Sequence, residues 1–180
     1  MTHKRILIFA AVSIALHAQT PAPAPIANPI SVSERGLYGF ISGAVVAAAE
    51  KMPEANYSFK PTPDVRSFGK LVGHVADAQY SFCSTAIGET SPMSGIEKSK
   101  TTKADLVAAL KDAVGYCQKT YAAMTDAQGS QVTKMMGFNM AKLTILSLNT
   151  AHTDEHYGNM VTYMRLKGLV PPTSENNSSK

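Results

Sequence analysis

The sequence predicts an all-α protein, a four-helix bundle, because three features of its 180 residues agree. Apolar residues recur at steps of three and four in four long segments, as they do on one face of a helix. Ser, Thr, Gly or Pro stand at the ends of these segments, where helices begin and end. The sequence shows no internal repeat and no alternation of strands with helices. A bundle is therefore the simplest way to pack four helices in one domain.

Each predicted helix is bounded by residues that favour a helix end. The helices are expected at residues 31–52, 67–87, 101–124 and 139–167. The second predicted helix starts at Ser67, and Thr101 or Thr102 is suited to cap the third, while Gly88 and Gly168 are suited to end helices. The first helix is expected to face the core with the apolar positions Leu37, Phe40, Ile41, Val45 and Ala48.

The segments between the predicted helices are expected to be irregular. Residues 53–66 hold three prolines and residues 88–100 are mostly polar, so both are interpreted as loops. Residues 125–138 are also expected to be irregular, with a short strand-like piece around residues 131–136. The sequence therefore places all the regular core structure in the four helices.

The N-terminus has the pattern of a signal peptide for export. Lys4 and Arg5 precede an apolar run over residues 6–16, and Ala18 is the small residue at the expected cleavage site. The run is too short to span a bilayer, which needs about 20 residues. We therefore expect residues 1–18 to be removed and the mature protein to be periplasmic or secreted.

The rest of the chain is expected to divide into a linker, the bundle and a tail. Residues 19–30 carry four prolines and are interpreted as an extended linker. The bundle is expected over residues 31–172. Residues 173–180, TSENNSSK, are polar and are expected to be disordered.

Composition and charge argue against two classes of function. Hydrophobic residues make up 44% of the chain and charged residues 17%, which is typical of a globular domain. The formal charge is +4, but Lys4 and Arg5 belong to the predicted signal peptide. The other basic residues are not interleaved with aromatics as they are in nucleic-acid-binding proteins. We therefore expect neither nucleic-acid binding nor a membrane-spanning helix.

The cysteines, Cys83 and Cys117, are expected to be two buried free thiols. A disulfide between them is the alternative, since an exported protein meets an oxidising environment. Cys83 lies near the end of one predicted helix, however, and Cys117 lies beyond the middle of the next. If those helices are antiparallel neighbours, the axial offset is on the order of 15 Å, which a disulfide cannot bridge.

The three histidines of the predicted mature chain point to a metal site. His152 and His156 are four residues apart, a spacing that puts both rings on one face of the last helix. That face continues the apolar positions Ile145 and Leu148, so the pair is expected to point into the bundle. His74 is expected on the inward face of the second helix. Three neutral imidazoles in one interior need a partner, and a divalent cation satisfies all three at about 2.0–2.1 Å.

Other interpretations of these histidines remain open on the residues alone. A His pair at this spacing also occurs by chance, and Asp77 is expected at the edge of the site or on the surface rather than among the ligands. The pair also fits the H-x-x-E-H pattern of inverzincin proteases, in which Glu155 would be the general base. Such proteases need a further acidic ligand downstream, and here the later acid is Glu175 in the tail.

Two stretches of the sequence together carry a family pattern. RSFGKLVGHVADAQYSF, residues 66–82, begins a helix that contains one histidine. HTDEHYGNMVTYMRLKGLVPP, residues 152–172, has two histidines, a Gly-polar dipeptide, a Gly and a double Pro. With their separation, these stretches resemble the DinB/YfiT-like family of metal-dependent four-helix bundles, over about residues 31–172. That family usually has Gly-Gln after the paired histidines, where this chain has Gly158-Asn159.

The resemblance implies that His74, His152 and His156 bind one divalent ion, for which Zn²⁺ or Ni²⁺ is expected. Characterised members of the family include thiol-dependent transferases and isomerases, and homodimers are common. We therefore expect a metal-dependent hydrolase or thiol transferase that acts on a small molecule. A non-catalytic metal-binding or interaction module of the cell envelope is the alternative. The substrate and the catalytic residues beyond the ligands are not predicted.

Overall fold

Four long helices form the body of the protein in the computed structural model, which describes residues 25–177. The helices and strands are α1 (Pro29–Lys51), α2 (Phe68–Ile87), α3 (Ile96–Ser99), α4 (Lys103–Ala123), α5 (Asp126–Gly129), β1 (Val132–Met135), β2 (Phe138–Ala141) and α6 (Lys142–Leu166). Short 3-10 helices occur at Glu54–Asn56 and Pro172–Asn177. The four long helices correspond to the four that the sequence predicts.

Capping residues explain where the long helices begin and end. Ser67 and Thr102 each accept a hydrogen bond from the backbone N–H three residues later, as predicted. Gly88 and Gly168 have φ of 78° and 73°, a left-handed conformation that ends a helix at little cost when the residue is glycine. α1 begins at Pro29, slightly before the expected start, because proline is well suited to the first turn of a helix.

The long helices run as two parallel pairs. α2 and α4 start at the same end of the bundle, where Leu106 of α4 packs against Gly69 of α2. α6 runs against α2, since Tyr163 near its end donates a hydrogen bond of 2.8 Å to the carbonyl of Arg66. Ser31 at the start of α1 donates its backbone N–H to Asp126, which follows the end of α4, so α1 runs against α4 and in the same direction as α6. The connection from α2 to α4 therefore has to return along the whole bundle.

The two cysteines form a disulfide, so the prediction of two free thiols is wrong. The Cα atoms of Cys83 and Cys117 are 5.4 Å apart, and both residues are fully buried. The predicted offset assumed that their helices are antiparallel. Because α2 and α4 are parallel, each cysteine lies at a similar distance from the start of its helix, and the two side chains meet.

The loop expected at residues 88–100 contains a short helix that was not predicted, and the strand-like piece expected around residues 131–136 is the first strand of a hairpin. α3 lies within the expected loop 88–100 and buries Ile96. β1 and β2 form an antiparallel hairpin in which Val132 pairs with Ala141 and Met135 with Phe138. The last helix consequently starts at Lys142 instead of near residue 139. The sequence between the strands, Met-Gly, lacks the Asn-Gly or Asp-Gly signal by which such hairpins are usually predicted.

The core lies between the four long helices and holds them together. One part of the core surrounds the Cys83–Cys117 disulfide, and there the rings of Tyr38 and Tyr121 stack with centroids 4.0 Å apart. Leu37 and Phe40, expected in the core stripe of α1, are instead exposed, because Tyr38 and Ile41 face inward. No helix among the described residues is long and apolar enough to cross a membrane.

The chain ends are only partly covered by the described residues. The predicted signal peptide, residues 1–18, and the first part of the linker lie outside them. Part of the tail expected to be disordered is instead folded against the bundle, since Thr173 donates its backbone N–H to the Tyr157 hydroxyl at 3.1 Å. Residues 178–180 lie outside the described part.

Candidate metal centre

The structure brings His74, His152 and His156 together between α2 and α6. His152 Nε2 lies 3.1 Å from His74 Nε2 and 3.1 Å from His156 Nε2. The potential ligand atoms of all three residues lie within 4.8 Å of one another. The four-residue spacing on α6 places His152 and His156 one above the other, and the antiparallel α2 presents His74 to the same point. The three predicted ligands therefore share one site.

Hydrogen bonding among the three rings does not account for this arrangement. A ring nitrogen has one in-plane position for a proton or a partner, so His152 Nε2 cannot pair with both neighbours at once. A divalent cation can accept all three nitrogens. Two nitrogens 3.1 Å apart fit bonds of about 2.1 Å that meet at about 95°, which suits a single ion. The donor set therefore fits a divalent metal.

The electrostatic surroundings keep two of these rings neutral. The pKa of His156 is lowered to about 4, mainly by burial and then by the neighbouring His152 and His74 rings. Burial, followed by the neighbouring His74, also lowers the pKa of His152. A metal binds the neutral imidazole, so the site is ready for a cation at neutral pH.

Glu97 orients the His74 ring from outside the cluster. Its Oε2 lies 3.2 Å from His74 Nδ1, and its Oε1 accepts a hydrogen bond of 3.0 Å from Arg66 Nε. A carboxylate next to Nδ1 holds the proton on that nitrogen and leaves the Nε2 lone pair free. Such a carboxylate–histidine pair is the usual support of a metal-ligating histidine. Glu97 is a candidate supporting residue that the sequence pattern did not reveal.

The backbone of Glu97 is fixed on the surface of α2. Asp77 accepts hydrogen bonds of 2.9 Å from the backbone N–H groups of Ile96 and Glu97, so it caps the start of α3. Lys70 Nζ donates to the Glu97 carbonyl at 2.5 Å. Gly73 allows the close approach, since a Cβ there would lie 2.7 Å from Glu97 Cα. Asp77 thus lies at the edge of the site, as expected, and holds a supporting residue.

The other two histidines have different surroundings. The Asn159 side-chain amide lies 3.4 Å from His156 Nδ1, where its oxygen can accept the ring proton if the amide is turned. His152 Nδ1 is buried, and no group in the described part of the chain pairs with it. Asn159 stands where the resembled family usually has Gln, and its shorter amide still reaches the His156 ring.

A buried layer of hydrogen-bonded polar side chains connects α2 to α6 between the histidines and the disulfide. Gln79 Nε2 donates to Thr153 Oγ1 at 2.8 Å, and Asn149 Nδ2 donates to Gln79 Oε1 at 2.9 Å. Tyr38 also donates its hydroxyl to Gln79 Oε1 at 2.9 Å. Asn149 Oδ1 is left without a partner among the described residues, but the three hydrogen bonds that meet at Gln79 still fix the relative height of the two helices that carry the histidines.

A cleft of about 630 Å³ opens beside the cluster and is partly lined by His156. Its polar walls come from Arg66, Glu97, Glu155 and Asn159, and Tyr163 contributes an aromatic ring. This volume suits a small polar molecule. The histidine cluster therefore borders, through His156, a space that can hold a ligand.

The fold and the site together define a class, that of helical bundles with a candidate three-histidine metal centre. The chain belongs to the DinB superfamily, whose family model matches residues 43–160. The resemblance seen in the sequence is thereby confirmed. None of the curated proteins that were compared matches the chain.

Solved structures agree on the fold. A DinB-like protein from Bacillus cereus is 15% identical with a TM-score of 0.70, covering 78% of this chain and 95% of its own. YfiT from Bacillus subtilis, described as a probable metal-dependent hydrolase with an unusual four-helix bundle topology, is 14% identical with a TM-score of 0.62, covering 84% and 95%. Identities this low establish the fold alone.

An enzyme of known reaction also shares the fold. A mycothiol-dependent maleylpyruvate isomerase is 12% identical with a TM-score of 0.61, over 72% of this chain. The chain spans 60% of that enzyme's length, so the enzyme has a part with no counterpart in the aligned region.

Proposed function

We propose that the protein binds one divalent transition-metal ion through His74, His152 and His156, and that this ion is Zn²⁺ or Ni²⁺. The convergence of three ring nitrogens, with two of the separations at 3.1 Å, carries the proposal. Depressed pKa values support it, because they leave the rings of His152 and His156 unprotonated at neutral pH. All-nitrogen ligation suits either metal.

Metal analysis of untagged protein tests this assignment. After repletion with Zn²⁺ or Ni²⁺ and removal of excess ion, the wild-type chain is expected to retain one ion. His156→Ala is expected to lose tight binding while the circular dichroism of the bundle is retained. Phe40→Ser, on the exposed face of α1, is the matched control and is expected to bind as the wild type does. Equal metal content in all three proteins would rule out the site.

We propose further that the metal centre is catalytic, in a hydrolase or a thiol transferase. A bound divalent cation supplies Lewis-acid activation of a water or a thiol at neutral pH. The protein contributes the cleft, the Glu97 contact that orients His74, and the Glu155 carboxylate, which lines the cleft and is placed to accept a proton. The description of YfiT as a probable hydrolase and the thiol dependence of the isomerase support these two reaction classes.

A panel of ester, amide and thiol-transfer substrates tests the catalytic proposal. Turnover that requires both the metal and His74, and that falls in Glu155→Gln without loss of metal, would support an enzyme. Tight metal binding without any turnover would favour the alternative, a non-catalytic metal-binding module of the cell envelope. The two measurements separate failure of the metal site from failure of the catalytic role.

We also propose that the protein is exported and works in the periplasm or outside the cell. The charged start and the apolar run before Ala18 support this. Cell fractionation, with N-terminal sequencing of the recovered protein, tests it. A mature N-terminus near Gln19 in the extracytoplasmic fraction is expected, and a full-length cytoplasmic chain would contradict it. The expected homodimer likewise remains a prediction, to be tested by light scattering.

A further inference from the structure

The β1–β2 hairpin carries the most exposed apolar side chains of the described residues. Met136, Phe138 and Val132 are 72%, 69% and 67% exposed, which exceeds every other large hydrophobic residue among residues 25–175. All three belong to one ten-residue segment at the end of the bundle remote from the histidines. Met136 and Phe138 lie together at the turn, whereas Val132 pairs with Ala141 at the base and faces the other side of the hairpin. Exposed apolar groups that are neighbours, as Met136 and Phe138 are, mark interaction surfaces, whereas isolated ones are ordinary.

The turn of the hairpin carries an apolar residue where folding favours a polar one. Met136 and Gly137 have φ of 52° and 83°, so both central residues of the turn are left-handed. Asn, Asp or Gly adopts this conformation readily, and another residue pays roughly 1–2 kcal/mol for it. Strained backbone positions of this kind cluster at functional sites, and here the strained residue presents an apolar side chain to solvent.

The hairpin is held firmly enough to present this turn. Met135 is buried and packs in the core cluster around the disulfide. The backbone N–H of Lys142 donates to the Gln131 carbonyl at 2.9 Å, which closes the base of the hairpin. The apolar residues at the tip are therefore displayed on an anchored element that projects from the bundle.

The charge of the hairpin is of one sign. Residues 130–142 contain Lys134 and Lys142 and no acidic residue. Lys134 is exposed beside the tip, and the ammonium group of Lys142 contacts only the neutral Gln131 side chain among the described residues. A projecting apolar tip with lysines behind it is complementary to a bilayer with anionic headgroups, because the tip enters the interface while the lysines remain at the phosphates.

We propose that the β1–β2 hairpin docks the protein on the surface of an anionic phospholipid bilayer, with Met136 and Phe138 inserted at the interface. The assignment does not depend on the metal centre, which lies toward the other end of the bundle. It requires no membrane-spanning helix. Docking would leave the cleft beside His156 open to solvent.

A single tryptophan tests the contact directly, because the chain has no native tryptophan. Phe138→Trp is mixed with vesicles of phosphatidylglycerol and phosphatidylcholine. Its emission is expected to shift to the blue and to be quenched by brominated lipid. Phe40→Trp is the matched control, since Phe40 is 65% exposed on α1, and its emission is expected not to change. This readout is local, so binding through the N-terminal apolar run would not imitate it.

Two further variants keep the proposal falsifiable. Met136→Asn relieves the turn and is expected to raise the melting temperature, yet to weaken vesicle binding about tenfold through loss of one large apolar side chain. Lys134→Gln is expected to weaken binding about fivefold on phosphatidylglycerol and not on pure phosphatidylcholine. Both are compared with wild-type protein of the same length.

Three results would overturn the proposal. The first is no spectral change at position 138 with anionic vesicles. The second is the same change at positions 138 and 40. The third is a blue shift at position 138 that grows with protein concentration in the absence of lipid, which would assign the hairpin to contact with a second copy of the chain.

Discussion

Replacing Glu97 by Gln removes the carboxylate charge that faces His74 Nδ1 while keeping the shape of the side chain. The contact is 3.2 Å long, and Arg66 holds the second oxygen at 3.0 Å. The variant should leave the bundle intact, because the backbone of Glu97 is bound by Asp77 and Lys70 through main-chain atoms. The expected effect therefore falls on the metal site.

The size of the effect follows from the contact. Loss of a group that supports a metal-ligating histidine typically costs about 10–100-fold in metal affinity. The Glu97 side chain is 26% exposed, so solvent screens part of its charge, and the Gln oxygen can still accept the ring proton. We therefore expect the metal affinity to fall by an amount near the lower end of this range, about tenfold or roughly 1.4 kcal/mol.

Competition with a chromophoric chelator measures this affinity in the wild-type and variant proteins. Glu89→Gln is the matched control, since Glu89 also accepts a side-chain hydrogen bond, from Tyr116 at 3.2 Å, but follows the end of α2 remote from His74. Unchanged affinity in Glu97→Gln, or an equal loss in Glu89→Gln, would refute the orienting role of Glu97.

The remaining predictions concern the support of the site and its stability. The Gly73→Ala change should force α3 away from α2 and lower metal affinity. Gly43 has open space around it, so Gly43→Ala should instead raise the free energy of unfolding by up to about 1 kcal/mol. Equal effects of the two changes on metal affinity and stability would contradict the close approach of α3 to Gly73. Reduction of the Cys83–Cys117 disulfide should lower the free energy of unfolding by about 4 kcal/mol, from the 34-residue separation, with the Cys83→Ala/Cys117→Ala protein insensitive to reductant. In chelated protein, His156 has a pKa of about 4 when folded and near 6.5 when unfolded. Between these two pKa values the unfolded state binds more protons than the folded state. The free energy of unfolding measured with urea should therefore fall as pH drops from about 6.5 to 4, by on the order of 3 kcal/mol. A free energy that does not change over this pH range would contradict the lowered pKa of His156.

The parts of the site that the sequence predicts are those that depend on local spacing. His152 and His156 share a helix face by virtue of a four-residue step, which needs no knowledge of the fold. His74 could be added because it lies on the inward face of another predicted helix. The caps at Ser67 and Thr102 are likewise local signals, and both were confirmed.

The parts that the sequence does not predict depend on how helices are placed in space. The disulfide was missed because the relative direction of α2 and α4 is set by a returning connection, which has no marker in the sequence. Glu97 was missed for the same reason, since that connection carries it to His74. The first strand of the hairpin lies in the strand-like piece expected around residues 131–136, but the turn and β2 were not predicted, because Met136 occupies a turn position where Asn would have signalled a hairpin.

The disulfide between Cys83 and Cys117 makes the connection between α2 and α4 stronger than the connection between either helix and α6. It joins α2 and α4 into one unit, and His74 belongs to that unit, whereas the other two histidines belong to α6, which is held by packing and hydrogen bonds. An ion at the centre would cross-link these two parts. Metal loss should therefore be visible as faster amide hydrogen exchange in α6 than in α2, although both helices contribute ligands.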